Sequence, residues 1–330
     1  IQEEIQSYMS TPPTGSESGL VGYWNFNEGT GTTVTDQTSN SNNGTINGAT
    51  WSTDVPGPVT YYVATNGSND NDGMENSPFA TIQAGIDAAS DGETVLVAEG
   101  TYVENINYNG KNIVVQGENR ETTIIDGNQN GSVIIVDSSM YSEIVGFTIT
   151  NGTGTPREGW FVGGGIYVLN SNIIINNCKI IGNQVTPDGS DAGGIYLKEV
   201  GNAIIKNTLI TDNYAEGAGG GLVCGNDSTI IINSTITNNI TETHPESGLW
   251  ISNATTSLIN SIVWNDQIWN WPNNVEIQIT YSNIDGGYEG EGNIDADPLF
   301  TDPDNGDYTL QSTSPCKDAG DPDLDDDGSY

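Results

Sequence analysis

The chain has 330 residues, and 44 acidic side chains outnumber 7 Lys and Arg, which gives a formal net charge of −37. Nucleic acids and anionic membrane surfaces bind clustered cations, so this charge excludes both as partners, while it suits solubility and divalent cations such as calcium. The 42 glycines and the abundant Asn, Ser and Thr favour turns, and Ile and Val favour strands, so the composition predicts an all-β protein.

Residues 1–59 differ in character from the rest of the chain. A Pro/Gly/Ser linker, Thr11–Ser18, precedes Gly19–Trp51, which reads GLVGYWNFNEGTGTTVTDQTSNSNNGTINGATW. This segment resembles one edge of a laminin-G-like, concanavalin-type jelly roll, where a GYW-F-EG strand and an NG hairpin recur. It is far too short for a complete lectin domain, so we expect residues 1–59 to hold a partial jelly-roll-like appendage and a linker.

Residues 60–111 combine a helix signal with a strand signal. Apolar residues recur at helical spacing in Pro78–Ala89, with Ser77 as the expected N-cap, and Thr94–Ala98 reads as a short buried strand. The order of ATIQAGIDAA and DGETVLVAEGTY resembles the N-terminal cap of pectate-lyase-like β-helix proteins. The resemblance implies that residues 60–111 form such a cap.

Two markers repeat through the next part of the chain at nearly the same step. Ile-x-x-Asn motifs recur at spacings of 30, 26 and 26 residues and end at Asn183, Asn213, Asn239 and Asn265. Glycines followed by apolar residues recur at spacings of 29, 27 and 27 residues, at Gly165, Gly194, Gly221 and Gly248. A repeat of this length with a third apolar run predicts one β-helical coil per repeat, with in-register parallel strands.

The fold class predicted is therefore a right-handed parallel β-helix with three-stranded coils over residues 112–290 and a short N-terminal jelly-roll-like appendage. Inward Ile, Leu and Val would fill the core, and the four repeated asparagines would stack at turns and pass hydrogen bonds along the axis. Leucine-rich and propeller repeats are disfavoured because their Leu-x-x-Leu and Trp-Asp signatures are missing.

The C-terminal part completes the resemblance. Tyr281–Asp323 looks like the terminal coil and closing segment of secreted bacterial β-helix proteins, so we expect residues 291–330 to form a closing segment and an acidic tail. The resemblance spans residues 60–323 and implies an extracellular or bacterial cell-surface location. Its members include enzymes that cleave acidic polysaccharides, adhesins, phage fibres and structural proteins, so the fold does not settle the function.

Three further features bound the class of protein. No apolar run approaches the length of a membrane span. The three cysteines are too few, and odd in number, for a disulfide framework. The chain starts at Ile1 without Met and stops inside a motif at Tyr330, so we expect a mature or trimmed piece of a longer polypeptide.

The acidic tail holds the candidate metal site. Four carboxylates alternate before Gly328, at Asp321, Asp323, Asp325 and Asp327. Alternating carboxylates before a turn glycine can converge on one hard cation, as in calcium loops. The alternative is a solvated acidic tail, which needs no metal.

An aromatic stripe is the candidate glycan-binding surface. If the apolar residue after each repeated glycine points inward, Tyr167, Tyr196, Val223 and Trp250 point outward on successive coils. Exposed aromatic rings suit stacking against sugar rings. The alternatives are that the rings stack on one another or lie under a covering loop.

A lyase site is the catalytic candidate. β-Helix polysaccharide lyases use a Lys or Arg base beside carboxylates that bind calcium. The candidates here are Lys198 or Lys206 with Asp188 and Asp191, and Lys179 and Arg157 are further candidate bases. The sequence departs from that pattern, because no Asp-Lys cluster stands out and the charge is strongly negative. Paired carboxylates of a hydrolase carry little weight among 44 acids.

These observations favour a non-catalytic extracellular surface, adhesive or fibrous protein that binds glycan and calcium. The alternative is a lyase or hydrolase acting on acidic polysaccharides. Expected partners are a polysaccharide or cell-surface glycan, and either copies of the chain itself or a larger parent chain. A groove holding Lys198 or Lys206 beside two or more carboxylates would favour the enzyme.

Overall fold

The computed structural model separates the chain into two compact units, Ile1–Gly57 and Pro58–Tyr330, each of which is described by itself. The structure describes residues 13–26, 28–51, 58–187, 189–225, 228–242, 248–271 and 276–321. No helix within these ranges has both the length and the apolar character needed to cross a membrane.

The N-terminal unit contains one short antiparallel pair, Thr33–Val34 with Gly44–Thr45. Its turn is organised by Asp36, whose carboxylate accepts hydrogen bonds from the N–H groups of Tyr23, Thr38 and Asn42. Burial opposes ionisation of this carboxyl group, but the hydrogen bonds outweigh it and lower its pKa to about 2. The likeness of this segment to a laminin-G domain stays a prediction.

The second unit is an all-β parallel β-helix with three long sheets, in which each strand pairs with its copy on the neighbouring coil. Sheet A contains Thr60–Val63, Thr94–Val97, Val114–Gly117, Ser142–Val145, Ile173–Asn176, Ala203–Lys206, Ser228–Ile232, Thr255–Ile259 and Ile277–Thr280. Sheet B contains Gly100–Val103, Thr123–Asp126, Thr148–Thr150, Lys179–Ile181, Leu209–Thr211, Thr235–Thr237, Ile262–Trp264 and Asn283–Ile284. Sheet C contains Ile106–Asn107, Ile134–Asp137, Ile166–Leu169, Ile195–Lys198, Leu222–Gly225, Leu249–Ser252 and Ile268–Trp271. The predicted β-helix is confirmed.

Shorter elements decorate the coils. A fourth parallel sheet, sheet D, contains Gln184–Val185, Tyr214–Ala215 and Ile240–Thr241. Antiparallel hairpins pair Thr155–Arg157 with Trp160–Val162, and Phe300–Asp302 with Asp307–Leu310 around the 3-10 helix Pro303–Asn305.

The first coil begins earlier than the sequence analysis placed it. Residues 60–111, predicted as a cap, already contribute strands to all three long sheets. The helix in this region is Ile82–Ala88, shorter than predicted, and its N-cap is Thr81 rather than Ser77, because the Thr81 side chain accepts a hydrogen bond from the N–H of Ala84. Ile82 and Ile86 bury this helix against the first coil.

A ladder of buried polar side chains runs inside the coils. Asn183 Nδ2 donates to Asn213 Oδ1 at 3.0 Å, and Asn213 Nδ2 donates to Asn239 Oδ1 at 2.9 Å. Each amide also donates to a carbonyl oxygen of the preceding coil, so the ladder satisfies polar groups that burial would otherwise leave without partners. The predicted structural role of these three asparagines is confirmed.

The prediction for the fourth rung, Asn265, is wrong. Ile236 pairs with Val263 in sheet B, so the residue facing Asn239 on the last coil is Asp266. Asn239 Nδ2 donates to Asp266 Oδ2 at 2.7 Å, and the Asn239 N–H donates to Oδ1 at 2.9 Å. Asn265 lies one position outside the ladder and is exposed. The ladder thus ends on a buried carboxyl group.

The repeated glycines give room to this ladder. A Cβ at Gly194 would overlap the carbonyl oxygen of Gly221 and approach the Asn213 amide, and a Cβ at Gly248 would overlap the carboxyl group of Asp266. The glycine repeat and the asparagine repeat therefore have the same structural cause. The backbone at each of these glycines packs directly against a polar side chain of the ladder, which leaves no space for a Cβ.

The C-terminal hairpin folds back along the outside of sheet B. Its Tyr308 hydroxyl accepts hydrogen bonds from Thr211 Oγ1 at 3.0 Å and from Asn238 Nδ2 at 2.9 Å. Tyr308 also packs edge-on against Phe300 of the other hairpin strand, with ring centroids 5.3 Å apart. Residues predicted only to close the chain therefore form one wall of a cleft on sheet B.

Candidate functional site

The predicted aromatic stripe lies on sheet C and forms two stacked pairs. Tyr167 and Tyr196 stack with centroids 5.9 Å apart and 9° between planes, and Trp250 and Trp269 stack with centroids 6.2 Å apart and 7° between planes. Val223 separates the two pairs in register. Because the faces of stacked rings turn towards one another, each pair uses ring surface that a sugar would otherwise contact.

The first pair is not the exposed surface that the stripe predicted. Tyr167 is buried and Tyr196 is half-buried, and the hairpin from Thr155 to Val162 holds Arg157 over them. The Arg157 guanidinium carbon lies 5.9 Å from the centroid of the Tyr196 ring. Burial raises the pKa of the Tyr167 hydroxyl, and the Arg157 charge opposes that rise. Stacking under a covering hairpin accounts for this pair.

The second pair is more open. Trp269 is 41% exposed, and Trp250 is half-buried. Trp250 was predicted as a glycan contact, whereas Trp269 was not part of the predicted stripe. Their exposure keeps Trp250 and Trp269 as a secondary glycan-binding candidate on sheet C.

The two predicted lyase bases lie on different sheets. Lys198 ends a strand of sheet C between Leu169 and Gly225, and Lys206 ends a strand of sheet A between Asn176 and Ile232. Neither lysine has an acidic residue as an in-register neighbour.

The acidic residues of that site also have other roles or fall outside the structure. The Asp191 carboxylate accepts a hydrogen bond from the N–H of Ala218 at 2.7 Å. Asp188 lies outside the described residues. The predicted lyase site at Lys198 or Lys206 therefore stays a prediction.

The predicted calcium loop is mostly outside the structure. Asp323, Asp325 and Asp327 lie outside the described residues, and only Asp321 is described. Among the residues that are described, no three His, Cys, Asp or Glu side chains form a metal-binding group. The calcium site stays a prediction.

A cleft that the sequence analysis did not predict lies between sheet B and the C-terminal hairpin. Its volume is about 780 Å³. The floor is formed by the outward side chains Lys179, Leu209 and Thr235 on three successive strands, and the far wall by hairpin residues from Gly306 to Leu310. Turn residues at one edge add side-chain amides that both donate and accept hydrogen bonds: Asn177, Asn207 and Asn233.

Charged groups meet at one end of this cleft. Arg120 Nε lies 3.1 Å from Glu121 Oε1, and Lys179 Nζ lies 3.5 Å from Glu121 Oε2. The Arg120 guanidinium also donates to the carbonyl oxygen of Asn207 at 3.1 Å. This hydrogen bond holds the Arg120 side chain against a turn that belongs to a later coil. Glu121 therefore holds two cations together at the cleft edge.

Asp307 brings a second carboxylate into the cleft. Hydrogen bonds from the hydroxyl and N–H of Thr309 lower its pKa, and the charge of Lys179 lowers it further. The cleft thus holds a lysine beside two carboxylates, Glu121 and Asp307. Lys179 directly precedes the Ile-x-x-Asn motif Ile180–Asn183, but its carboxylate neighbours come from residues far away in sequence.

Tyr308 stands between this cleft and a second cavity of about 320 Å³. The second cavity is lined by Thr237 and Trp264 of sheet B, and by Asp297 and Gln311 of the closing segment. Burial raises the pKa of the Tyr308 hydroxyl, so it stays a neutral hydrogen-bonding group. The two cavities therefore lie along sheet B on either side of the Tyr308 ring, and polar groups line both of them.

Comparison with known proteins identifies the repeat. The profile of the family described as "Right handed beta helix region" matches residues 84–268. Uncharacterized protein YwoF of Bacillus subtilis (strain 168) is 27% identical over 192 residues, which are 53% of this chain and 38% of that protein. Metabotropic glutamate receptor-like protein P of Dictyostelium discoideum is 36% identical over 103 residues, 30% of this chain and 7% of that protein. The chain thus spans less than two fifths of either relative.

Solved structures resemble the coils at low sequence identity. Pectin methylesterase PemA from Erwinia chrysanthemi is 14% identical with a TM-score of 0.46, over 76% of this chain and 98% of that chain. Pectate lyase Pel9A is 14% identical with a TM-score of 0.43, over 82% of this chain and 91% of that chain. Neither similarity bears on the activity of this chain.

Proposed function

The chain belongs to the family of right-handed β-helix regions, and from this premise we propose that it is a non-catalytic, extracellular glycan-binding protein. The observation that carries the proposal is the cleft of about 780 Å³ on sheet B. Its walls combine amides and hydroxyls with an aromatic ring, Tyr308, and sugars are recognised by such a mixture because each hydroxyl both donates and accepts. A rigid coil stack supports this cleft from below.

The stacked tryptophans Trp250 and Trp269 support a second glycan contact on sheet C. Two contacts on one rigid stack would let a long polysaccharide bind with avidity, which suits a surface, adhesive or fibrous role. The excess of acidic side chains supports an extracellular or bacterial cell-surface location. Self-association, or attachment to a larger parent chain, would multiply these contacts further.

Calcium binding is part of the same proposal. The alternating carboxylates Asp321, Asp323, Asp325 and Asp327 have the spacing of hard-cation ligands. Titration calorimetry with calcium chloride tests this directly on the whole chain and on an Asp323→Asn, Asp325→Asn variant. Heat of binding that disappears in the variant supports the site, and identical titrations without binding would remove calcium from the proposal.

A polysaccharide lyase is the second candidate function, and the cleft again provides its supporting observation. Lys179 lies beside Glu121 and Asp307, the grouping of a lysine with two carboxylates that a lyase would use. The non-catalytic proposal is preferred because the Lys179 ammonium contacts Glu121, whereas a general base needs a free lone pair at the substrate.

The test combines binding and product analysis. The protein is incubated with a panel of polysaccharides, bound protein is recovered with the polymer, and soluble products are measured as reducing ends and as ultraviolet absorbance of unsaturated sugars. The same assay uses Lys179→Gln as the cleft variant, and Lys317→Gln as the matched control, since Lys317 is exposed and lies outside the cleft.

We expect binding without products, weakened in Lys179→Gln and unchanged in Lys317→Gln. Products that require Lys179 would overturn the non-catalytic proposal in favour of the lyase. Products that instead require Lys198 or Lys206 would move the active site to sheet C or sheet A. A lack of binding to every polymer would contradict glycan recognition.

A further inference from the structure

The charges in the sheet B cleft balance one another. Its two cations, Arg120 and Lys179, share the cleft with two carboxylates, Glu121 and Asp307. The side chains of Arg120 and Lys179 are 34% and 20% exposed, so part of their charge is withdrawn from solvent. Each already has a close anionic partner in Glu121, at 3.1 Å and 3.5 Å. The cleft therefore presents no cation that lacks a counterion.

This arrangement offers hydrogen-bond donors and acceptors side by side. Guanidinium and ammonium groups only donate, ionised carboxylates only accept, and the amides of Asn177, Asn207 and Asn233 do both. A sugar hydroxyl is one donor and two acceptors, so it can bridge such a pair without leaving either charge unsatisfied. A carboxylate or sulfate is only an acceptor and would compete with Glu121 for the same cations.

The surroundings of the cleft also disfavour a polyanion. The cleft holds two of only seven basic residues in a chain whose formal net charge is −37. The summed field of such a chain repels anionic polymers and slows their association. A neutral chain meets no such barrier.

Apolar groups also line the cleft. Leu209 lies on the floor, and the ring of Tyr308 stands at the far end, held by hydrogen bonds from Thr211 and Asn238. These groups suit the C–H faces of a saccharide, whose edges then reach the flanking polar side chains.

We infer that the sheet B cleft selects neutral, hydroxyl-rich saccharide chains and discriminates against uronate or sulfated chains. The inference rests on the proposed glycan binding at the same cleft and specifies its ligand. Glu121 and Asp307 are the specificity-determining residues, because they neutralise the two cations and accept hydrogen bonds from sugar hydroxyls. Recognition then depends on hydrogen bonds and contact area rather than on ion pairing.

The test is titration calorimetry of the whole chain with soluble hexasaccharides. Neutral probes are gluco-, manno- and xylo-oligosaccharides, and acidic probes are galacturonate and mannuronate oligosaccharides, each at two ionic strengths that differ about tenfold. The variant is Glu121→Gln, Asp307→Asn, which keeps the shape of the cleft and removes both negative charges. The matched control is Glu289→Gln, Glu291→Gln, at two exposed positions outside the cleft.

We expect a neutral probe to bind at least about tenfold more tightly than either acidic probe, with little change as salt rises. In the cleft variant the neutral affinity should fall about tenfold and acidic probes should gain salt-sensitive binding, because hydrogen bonds to charged acceptors are lost and two cations are left unpaired. The control variant should match the unaltered chain.

Two results would overturn the inference. Wild-type preference for an acidic probe, weakened by salt, would reject the neutral class but would leave glycan binding at the cleft intact. No binding of any probe would reject the inference together with the proposed function. Thermal unfolding of the variants, compared with the unaltered chain, ensures that a loss of binding reports on the cleft rather than on folding.

Discussion

The buried carboxyl group at the end of the asparagine ladder makes the sharpest stability prediction. Asp266 is 1% exposed, and burial raises its pKa well above the ordinary range, against the opposing effect of two hydrogen bonds from Asn239. The nearby carboxylates of Asp212 and Asp285 raise the pKa further. The folded protein therefore favours the neutral acid, and ionising it at neutral pH costs free energy.

The sign of the pH dependence follows from this shift. Below the ordinary pKa of an Asp, about 3.9, the group is protonated in both the folded and the unfolded chain, so its ionisation does not lower the free energy of unfolding. As pH rises from there towards the folded-state pKa, the unfolded chain ionises while the folded chain resists, so the free energy of unfolding falls. The substitution Asp266→Asn removes this loss.

The amide should also fit the ladder. Its oxygen can accept both hydrogen bonds from Asn239, as Asn239 Oδ1 accepts those from Asn213. Its nitrogen can donate to the Ile236 carbonyl, the position that corresponds to the Ile210 carbonyl used by Asn239. Because two hydrogen bonds already offset part of the burial penalty, we expect Asp266→Asn to raise stability by about 1–3 kcal/mol at neutral pH.

Urea unfolding at several pH values from about 4 to 8 measures this difference. Asp304→Asn is the control, since it removes the same charge from an exposed position. The Asp266→Ala variant should be less stable than both the Asp266→Asn and the Asp304→Asn variants, because it leaves the Asn239 donors without a partner. Equal stability of Asp266→Asn and the unaltered chain across this range would refute the account of the ladder.

Three further predictions concern other parts of the coils. Gly194→Ala should destabilise the β-helix by about 1–3 kcal/mol in urea unfolding, because its Cβ would press on the Gly221 carbonyl; a neutral effect would contradict the close backbone packing. Lys111→Met removes three hydrogen bonds of 2.8 Å to carbonyl groups at the end of Ile82–Ala88, and should cost about 1–2 kcal/mol; unchanged thermal unfolding would show that this cap is dispensable. Tyr308→Phe should increase hydrogen exchange of the C-terminal hairpin by about fivefold, as roughly 1 kcal/mol of docking is lost; unchanged exchange would mean that other contacts hold it.

The coils were predictable because their signal is local and repeated. Gly194 and Asn213 recur on successive coils with nearly constant spacing, and alternation of side chains assigns the inward faces without any long-range information. The last register was not predictable in this way. Ile262 and Val263 are both apolar, so the pattern accommodates either as the inward residue, and only the strand pairing selects Val263 and places Asp266 in the ladder.

The cleft could not be predicted for a different reason. Arg120, Lys179 and Asp307 belong to separate parts of the chain and meet only because coils stack and the C-terminal hairpin folds back. No local pattern encodes that return. Burial of Tyr167 has a similar origin, because the covering Arg157 comes from an inserted hairpin whose docking the repeat does not specify.

Glycan recognition at the sheet B cleft is most directly tested by a crystal structure of the chain grown with a neutral hexasaccharide. The account predicts an intact saccharide lying between Lys179 and Tyr308, with hydroxyls hydrogen-bonded to Glu121 or Asp307. A saccharide bound at Trp250 and Trp269 while the cleft contains only solvent, or a cleaved product in the cleft, would contradict it.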